Sequence, residues 1–122
     1  MPKKILVVED DKFLRKVYES KLPKEGYAVI AAANGQEGLA AMKKELPDVV
    51  LLDLIMPVMT GFEMLEEVNK DKTLAKIPIL VLSNLGQEDD VKKAKELGAN
   101  DFLIKSNLSV KEIIDKVKQY LN

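Results

Sequence analysis

Five short apolar runs recur along the chain, and four of them end on or just before a polar residue. They are Ile5-Leu6-Val7-Val8 before Glu9-Asp10-Asp11, Val49-Val50-Leu51-Leu52 before Asp53, Ile79-Leu80-Val81-Leu82 before Ser83, and Phe102-Leu103-Ile104 before Lys105. The fifth, Tyr27 to Ala33, is plainer. Runs this short and unbroken, without polar alternation, predict strands of a parallel sheet covered on both faces. The intervening segments have helical spacing. Phe13, Leu14, Val17, Tyr18 and Leu22 form one apolar face, with Asp11 as N-cap, Pro23 ending the helix early and Gly26 as a stop. Asn34 and Glu37 have the form of a capping box, opening a helix whose buried face is Leu39, Met42 and Leu46 and which stops before Pro47. Thr60 and Gly61 introduce Phe62, Met64, Leu65 and Val68. Gln87 to Leu97 carries acids first and lysines later, which suits the helix dipole. Ser109 and Glu112 cap a fifth helix containing Val110, Ile113, Ile114, Val117 and Leu121.

Strand and helix thus alternate five times with short loops, the pattern of right-handed βαβ crossovers. The predicted fold is α/β: a doubly wound five-stranded parallel sheet of order 2-1-3-4-5 with five helices, the flavodoxin-like arrangement. All strands then share one C-terminal edge. The acidic cluster, Asp53, Ser83 and Lys105, scattered in sequence, would converge there.

Composition narrows the chemistry. The 122 residues predict one domain, 1–122, with 47% hydrophobic and 32% charged residues. With 19 basic and 20 acidic side chains, the chain lacks the positive excess that nucleic acids or anionic membranes attract. No apolar stretch approaches the roughly 20 residues a bilayer span requires, so a cytoplasmic location is expected. Cys, His and Trp are absent, which excludes thiol and imidazole catalysis and zinc sites built on His or Cys. Hard oxygen ligands remain, and they favour Mg²⁺ over Mn²⁺ or Ca²⁺.

Several acids at one edge raise the pKa of at least one of them unless a cation neutralises them. Mg²⁺ held by carboxylates keeps positions open for phosphate oxygens, Lys105 adds a mobile positive charge, and Ser83 adds a hydroxyl donor. The serious nucleophiles are then Ser83 and a carboxylate. Ser83 has no adjacent base, whereas Asp53 needs no deprotonation near neutral pH. Asp53 is therefore assigned the attack on phosphorus, with an aspartyl phosphate as product.

The run Val7-Val8-Glu9-Asp10-Asp11, the motif Asp53-Leu54-Ile55-Met56-Pro57 with Gly61, Ser83, and Phe102 three before Lys105 resemble the receiver domain of two-component response regulators, as in single-domain chemotaxis regulators. The resemblance spans essentially the whole chain. It implies that Asp53 accepts a phosphoryl group from a phosphohistidine on a sensor kinase or phosphotransfer protein. Asp10, Asp53 and the carbonyl of Ile55 would ligate Mg²⁺, with Glu9 assisting through water. Ser83 would hydrogen-bond the new phosphoryl group, Lys105 would pair with it, and Phe102 would change rotamer. A downstream effector would read the changed surface, the protein being a monomer or a phosphorylation-dependent homodimer. No turnover of external substrate and no direct nucleic-acid or membrane contact is expected.

Two positions depart from the family pattern. Ser106 follows Lys105 where the family usually has a proline, often joined by a cis bond; a cis bond without proline costs about 2.5–4 kcal/mol, so a trans or strained loop is expected. Asn84 follows Ser83 where the family usually has a small residue. Asn84, Leu85 and Met56 are assigned to the pocket rim. Ile55 and Leu85 occupy rim positions where relatives often carry polar residues, so hydrolytic water should be poorly oriented and the phosphorylated form should persist.

Plainer roles compete for several residues. Asp11 reads as an N-cap in preference to a ligand. Met56, Met59 and Met64 read foremost as packing residues. The alternative function is a phosphorylation-independent receiver-like interaction module, supported by the departures at Asn84 and Ser106. A flavin site is disfavoured because Glu9-Asp10-Asp11 would repel a flavin phosphate.

Overall fold

The computed structural model describes residues 2–84 and 87–121. Five parallel strands, β1 (Lys4–Val8), β2 (Ala28–Ala32), β3 (Val49–Leu52), β4 (Ile79–Ser83) and β5 (Asp101–Ile104), form one sheet in the order β2-β1-β3-β4-β5. The helices are α1 (Lys12–Lys24), α2 (Gly35–Glu45), α3 (Gly61–Asn69), α4 (Glu88–Glu96) and α5 (Val110–Gln119). The predicted topology is the observed one.

Alternate side chains of each strand point to opposite faces. Leu6, Val8, Val50, Leu52, Ile79 and Val81 pack with α2, α3 and α4 through Met42, Met64, Leu65, Val68 and Ala94. Ile5, Val7, Val49, Leu51, Leu80 and Leu82 pack with α1 and α5 through Tyr18, Leu22, Ile113, Ile114 and Val117. This double burial explains why the strands read as unbroken apolar runs. The edge strand β2 is plainer because only Ala32 in it is fully buried.

The register sets the functional edge. Val8 lies beside Leu52, Leu52 beside Val81, and Ser83 beside Ile104. The residues that follow β1, β3 and β5, and the last residue of β4, therefore emerge at one level.

Local chemistry fixes the helix starts. Asp11 Oδ1 accepts from the amides of Phe13 at 2.9 Å and Leu14 at 3.2 Å, which confirms its capping role. Thr60–Glu63 and Ser109–Glu112 make complete capping boxes. At α2 the box is offset: Asn34 Oδ1 accepts from the Glu37 amide, but Glu37 Oε1 accepts from Ala33, one residue before the cap.

Three expectations fail locally. Phe13 does not join the core; it is 74% exposed because it lies in the first turn of α1, where the sheet below has ended. Leu46 is also exposed, since the chain turns left-handed there (φ 46°) and carries the side chain off the α2 face. Pro23 does not end α1, which runs on to Lys24. In the exposed last turn, water can serve a carbonyl deprived of its donor, so the proline is tolerated.

Gly61 locks the loop after β3 to α3. Its amide donates to Leu54 O at 2.9 Å, and a Cβ there would meet Asp53 O at 2.3 Å and Leu54 Cα at 2.7 Å. Gly61→Ala should therefore lower stability by roughly 1–3 kcal/mol in urea unfolding, as overpacking against backbone does. An unchanged midpoint would show that the loop yields freely.

Candidate functional site

Two backbone hydrogen bonds carry the strand pairing one residue past the sheet edge. Glu9 N donates to Ala32 O at 3.0 Å, and Asp53 N donates to Val8 O at 2.9 Å. They set Glu9 and Asp53 side by side. Glu9 is 2% exposed, Asp53 7% and Ser83 1%, while Asp10 faces solvent. Carboxylate oxygens of Glu9, Asp10 and Asp53 lie within 4.8 Å of one another.

Lys105 arrives from the end of β5. Its Nζ is 2.9 Å from Glu9 Oε2 and 3.4 Å from Asp53 Oδ2, so one ammonium serves two buried acids. The other oxygens are also engaged. Glu9 Oε1 accepts from the Asp11 amide at 3.1 Å, and Asp53 Oδ1 accepts from the Ile55 amide at 3.4 Å.

Burial dominates the electrostatics. It pushes the Glu9 carboxyl up from 4.5 to about 7; the Lys105 hydrogen bond opposes this and the Asp53 charge reinforces it. Burial also raises Asp53, against the pull of Lys105 and the Ile55 amide. Desolvation pulls Lys105 down, but the Glu9 hydrogen bond and the charges of both carboxylates outweigh it, and its pKa stands above the ordinary value. The lysine stays charged between acids that burial makes reluctant anions.

This donor set suits a hard divalent cation. It offers carboxylate oxygens only, one of them on a solvent-facing residue, and two of the carboxylates would be relieved by added positive charge.

The surrounding loops modify the expected rim. Met56 does not line it; it is buried with Leu54 and Met64 in the core, ahead of the bend at residues 57–59, which agrees with its reading as a packing residue. Val58 takes a place the sequence did not suggest. Met59 N donates to Pro57 O at 2.8 Å around Val58, whose φ of 68° leaves its side chain 74% exposed. Ile55 is 60% exposed, so the loop presents two apolar side chains to solvent. Leu85 lies outside the described residues. Asn84 is exposed, and its Oδ1 accepts from the Ser106 amide at 2.9 Å. The two departures from the family pattern thus bond to each other, and a proline at 106 would lack that donor. Every peptide bond among the described residues is trans. Phe102 is half-buried against the face carrying α2, α3 and α4. Ser83 closes β4 at the same edge.

Because the folded pKa of Glu9 exceeds its ordinary value, the native chain holds a proton that the unfolded chain releases between pH 4.5 and about 7. This contribution to stability is complete below that window and is lost as pH rises through it. In chelator, Glu9→Gln should flatten that fall and be more stable than the parent at pH 8 by on the order of 1–3 kcal/mol. Parallel stability curves in urea unfolding would contradict the assignment.

The response regulator receiver domain family matches residues 5–118. The protein PilH of Pseudomonas aeruginosa is 36% identical over 85 residues, covering 70% of this chain and 70% of its own. The probable transcriptional regulator ycf27 of Guillardia theta is 40% identical over 83 residues, 68% of this chain and 32% of that protein. The chain thus spans about a third of the length of such relatives. The chemotaxis protein CheY4 of Vibrio cholerae has the same fold, with a TM-score of 0.90 at 31% identity, covering 98% of this chain and 99% of that one. With its sheet order, its acidic edge and a family match over nearly its whole length, the chain belongs to the response regulator receiver domains of two-component signalling.

Proposed function

We propose that the chain is a phosphorylation-controlled switch in which Asp53 accepts a phosphoryl group from a phosphohistidine of a sensor kinase or phosphotransfer protein. The observation that carries this reading is the single ammonium of Lys105, 3.4 Å from the Asp53 carboxylate and 2.9 Å from Glu9. One Asp53 oxygen attacks phosphorus and the P–N bond breaks. Its electron pair leaves with the donor imidazole nitrogen, and the P–O bond of an aspartyl phosphate forms. Asp10, Asp53 and the carbonyl of Ile55, with Glu9 through water, would hold Mg²⁺, or Mn²⁺ in its place, which when bound neutralises charge on the phosphoryl oxygens.

Lys105 then pairs with the new phosphoryl oxygens, and the Ser83 hydroxyl donates to another of them. The added charge and acceptor oxygens draw β4 and β5 toward Asp53 and bias an existing equilibrium. Phe102, on β5, changes rotamer with that movement. An effector protein reads the resulting surface, in the cytoplasm, with the receiver as monomer or as phosphorylation-dependent homodimer. The chain takes part in its own phosphorylation and turns over no external substrate. Exposed Ile55 offers hydrolytic water no polar anchor, so the phosphorylated form persists.

Incubation with acetyl phosphate and Mg²⁺ should add one phosphoryl group to the intact mass. Asp53→Asn or chelator should abolish the gain, and the modified species should decay slowly. No gain in the parent would favour the phosphorylation-independent interaction module, and decay within seconds would remove the persistence.

A further inference from the structure

Arg15 is the only arginine in a chain that otherwise uses lysine for every cationic side chain. It sits in the second turn of α1 and is partly buried. Its Nη1 donates to the carbonyl of Glu9 at 2.7 Å and to the carbonyl of Asp10 at 2.9 Å. Consecutive carbonyls of an extended segment point to opposite sides, so two that converge on one nitrogen mark a bent loop held in its bend. Among the described residues the loop is also tied by the Glu9 amide to Ala32, the Asp11 amide and the Lys105 ammonium to the Glu9 side chain, the Arg15 amide to Asp11 O, and the Phe13 and Leu14 amides to the Asp11 side chain. None of those grips the backbone of Asp10. Asp10 is also the solvent-facing member of the carboxylate cluster, so the reading of its side chain as a ligand depends on where its backbone is fixed.

We infer that Arg15 is a positioning residue: it clamps the carbonyls of Glu9 and Asp10 so that the Asp10 carboxylate is presented toward Asp53 for a divalent cation. The inference rests on the proposed Mg²⁺ role of the acidic edge and extends it to a residue that touches neither metal nor phosphoryl group. A guanidinium suits the task because its weakly hydrated, forked donors give up little water when they bond backbone oxygen. Positioning and simple electrostatics predict opposite signs. Removing a cation beside an acidic cluster should tighten Mg²⁺ binding through space, whereas loss of the clamp should weaken it.

Calorimetric Mg²⁺ titration of the parent, Arg15→Met and Arg15→Lys, with unfolding midpoints in chelator, decides between them. Arg15→Met keeps much of the apolar stem and should weaken Mg²⁺ about tenfold, as loss of an outer-shell partner does, with Arg15→Lys in between. Mg²⁺ binding by Arg15→Met as tight as the parent's or tighter overturns the inference, as does a lowered midpoint with unchanged affinity. Should Arg15→Met not fold, Arg15→Lys decides by the same criterion: weaker binding supports the clamp, equal or tighter binding overturns it. A parent that binds no Mg²⁺ would instead refute the proposed function itself.

Discussion

The structure depends on a buried charge arrangement at one sheet edge: Glu9 and Asp53, both nearly closed to solvent, share the ammonium of Lys105. Desolvating two carboxylates is costly, and a single lysine returns only part of that cost. The apolar sheet bears it, because five strands buried on two faces hold the edge in place. The strand register then leaves Glu9 and Asp53 little freedom to separate, since the first amide beyond each of β1 and β3 is still tied to a neighbouring strand. The site is therefore a region of stored electrostatic tension on a rigid base. A divalent cation would relieve that tension, and under the proposed function a phosphoryl group would rearrange it.

Under the proposed function, Lys105 is the moving part. It is closer to Glu9 than to Asp53, and transfer to a phosphoryl group on Asp53 exchanges one anionic partner for another, leaving the buried Glu9 carboxyl to a proton or to the divalent cation. The bond between Asn84 and Ser106 matters here, because it joins the segment after β4 to the residue after Lys105. Met59 O holds the Gly35 amide on the opposite side, so the loop after Asp53 leans on the start of α2. The contacts that the proposed function exchanges thus lie toward β4 and β5, while backbone hydrogen bonds tie the acidic edge to β1, β2 and α2.

Much of this was legible in the sequence. Unbroken apolar runs follow directly from two-sided burial, and Asp11, Thr60 and Ser109 cap by side-chain chemistry that acts within three residues. The gathering of Asp53, Ser83 and Lys105 at one edge was legible because parallel topology forces strand ends together. What failed depended on position within the packed fold. Phe13 and Leu46 have correct helical spacing but sit where a helix begins or unwinds, and spacing carries no information about where a neighbour ends. Met56 carries two readings, packing residue and rim residue, and its burial in the core bears out the first, a choice that depends on the course of the chain after Leu54. The contacts of Asn84 with Ser106, and of Arg15 with Glu9 and Asp10, join segments through backbone atoms, for which no side-chain pattern gives a signal. The closeness of Lys105 to Glu9 goes with the burial of that acid, which a residue in a three-acid run does not announce.

The most direct test of the central claim is the titration of the Glu9 side-chain carboxyl carbon by NMR, with and without saturating Mg²⁺. If the acidic edge is held in tension by burial and released by a cation, Glu9 should titrate near its raised value of about 7 in chelator and move down toward the ordinary carboxylate range when Mg²⁺ is present. Titration at an ordinary carboxylate pKa in chelator, or the same raised value in both conditions, would contradict the account.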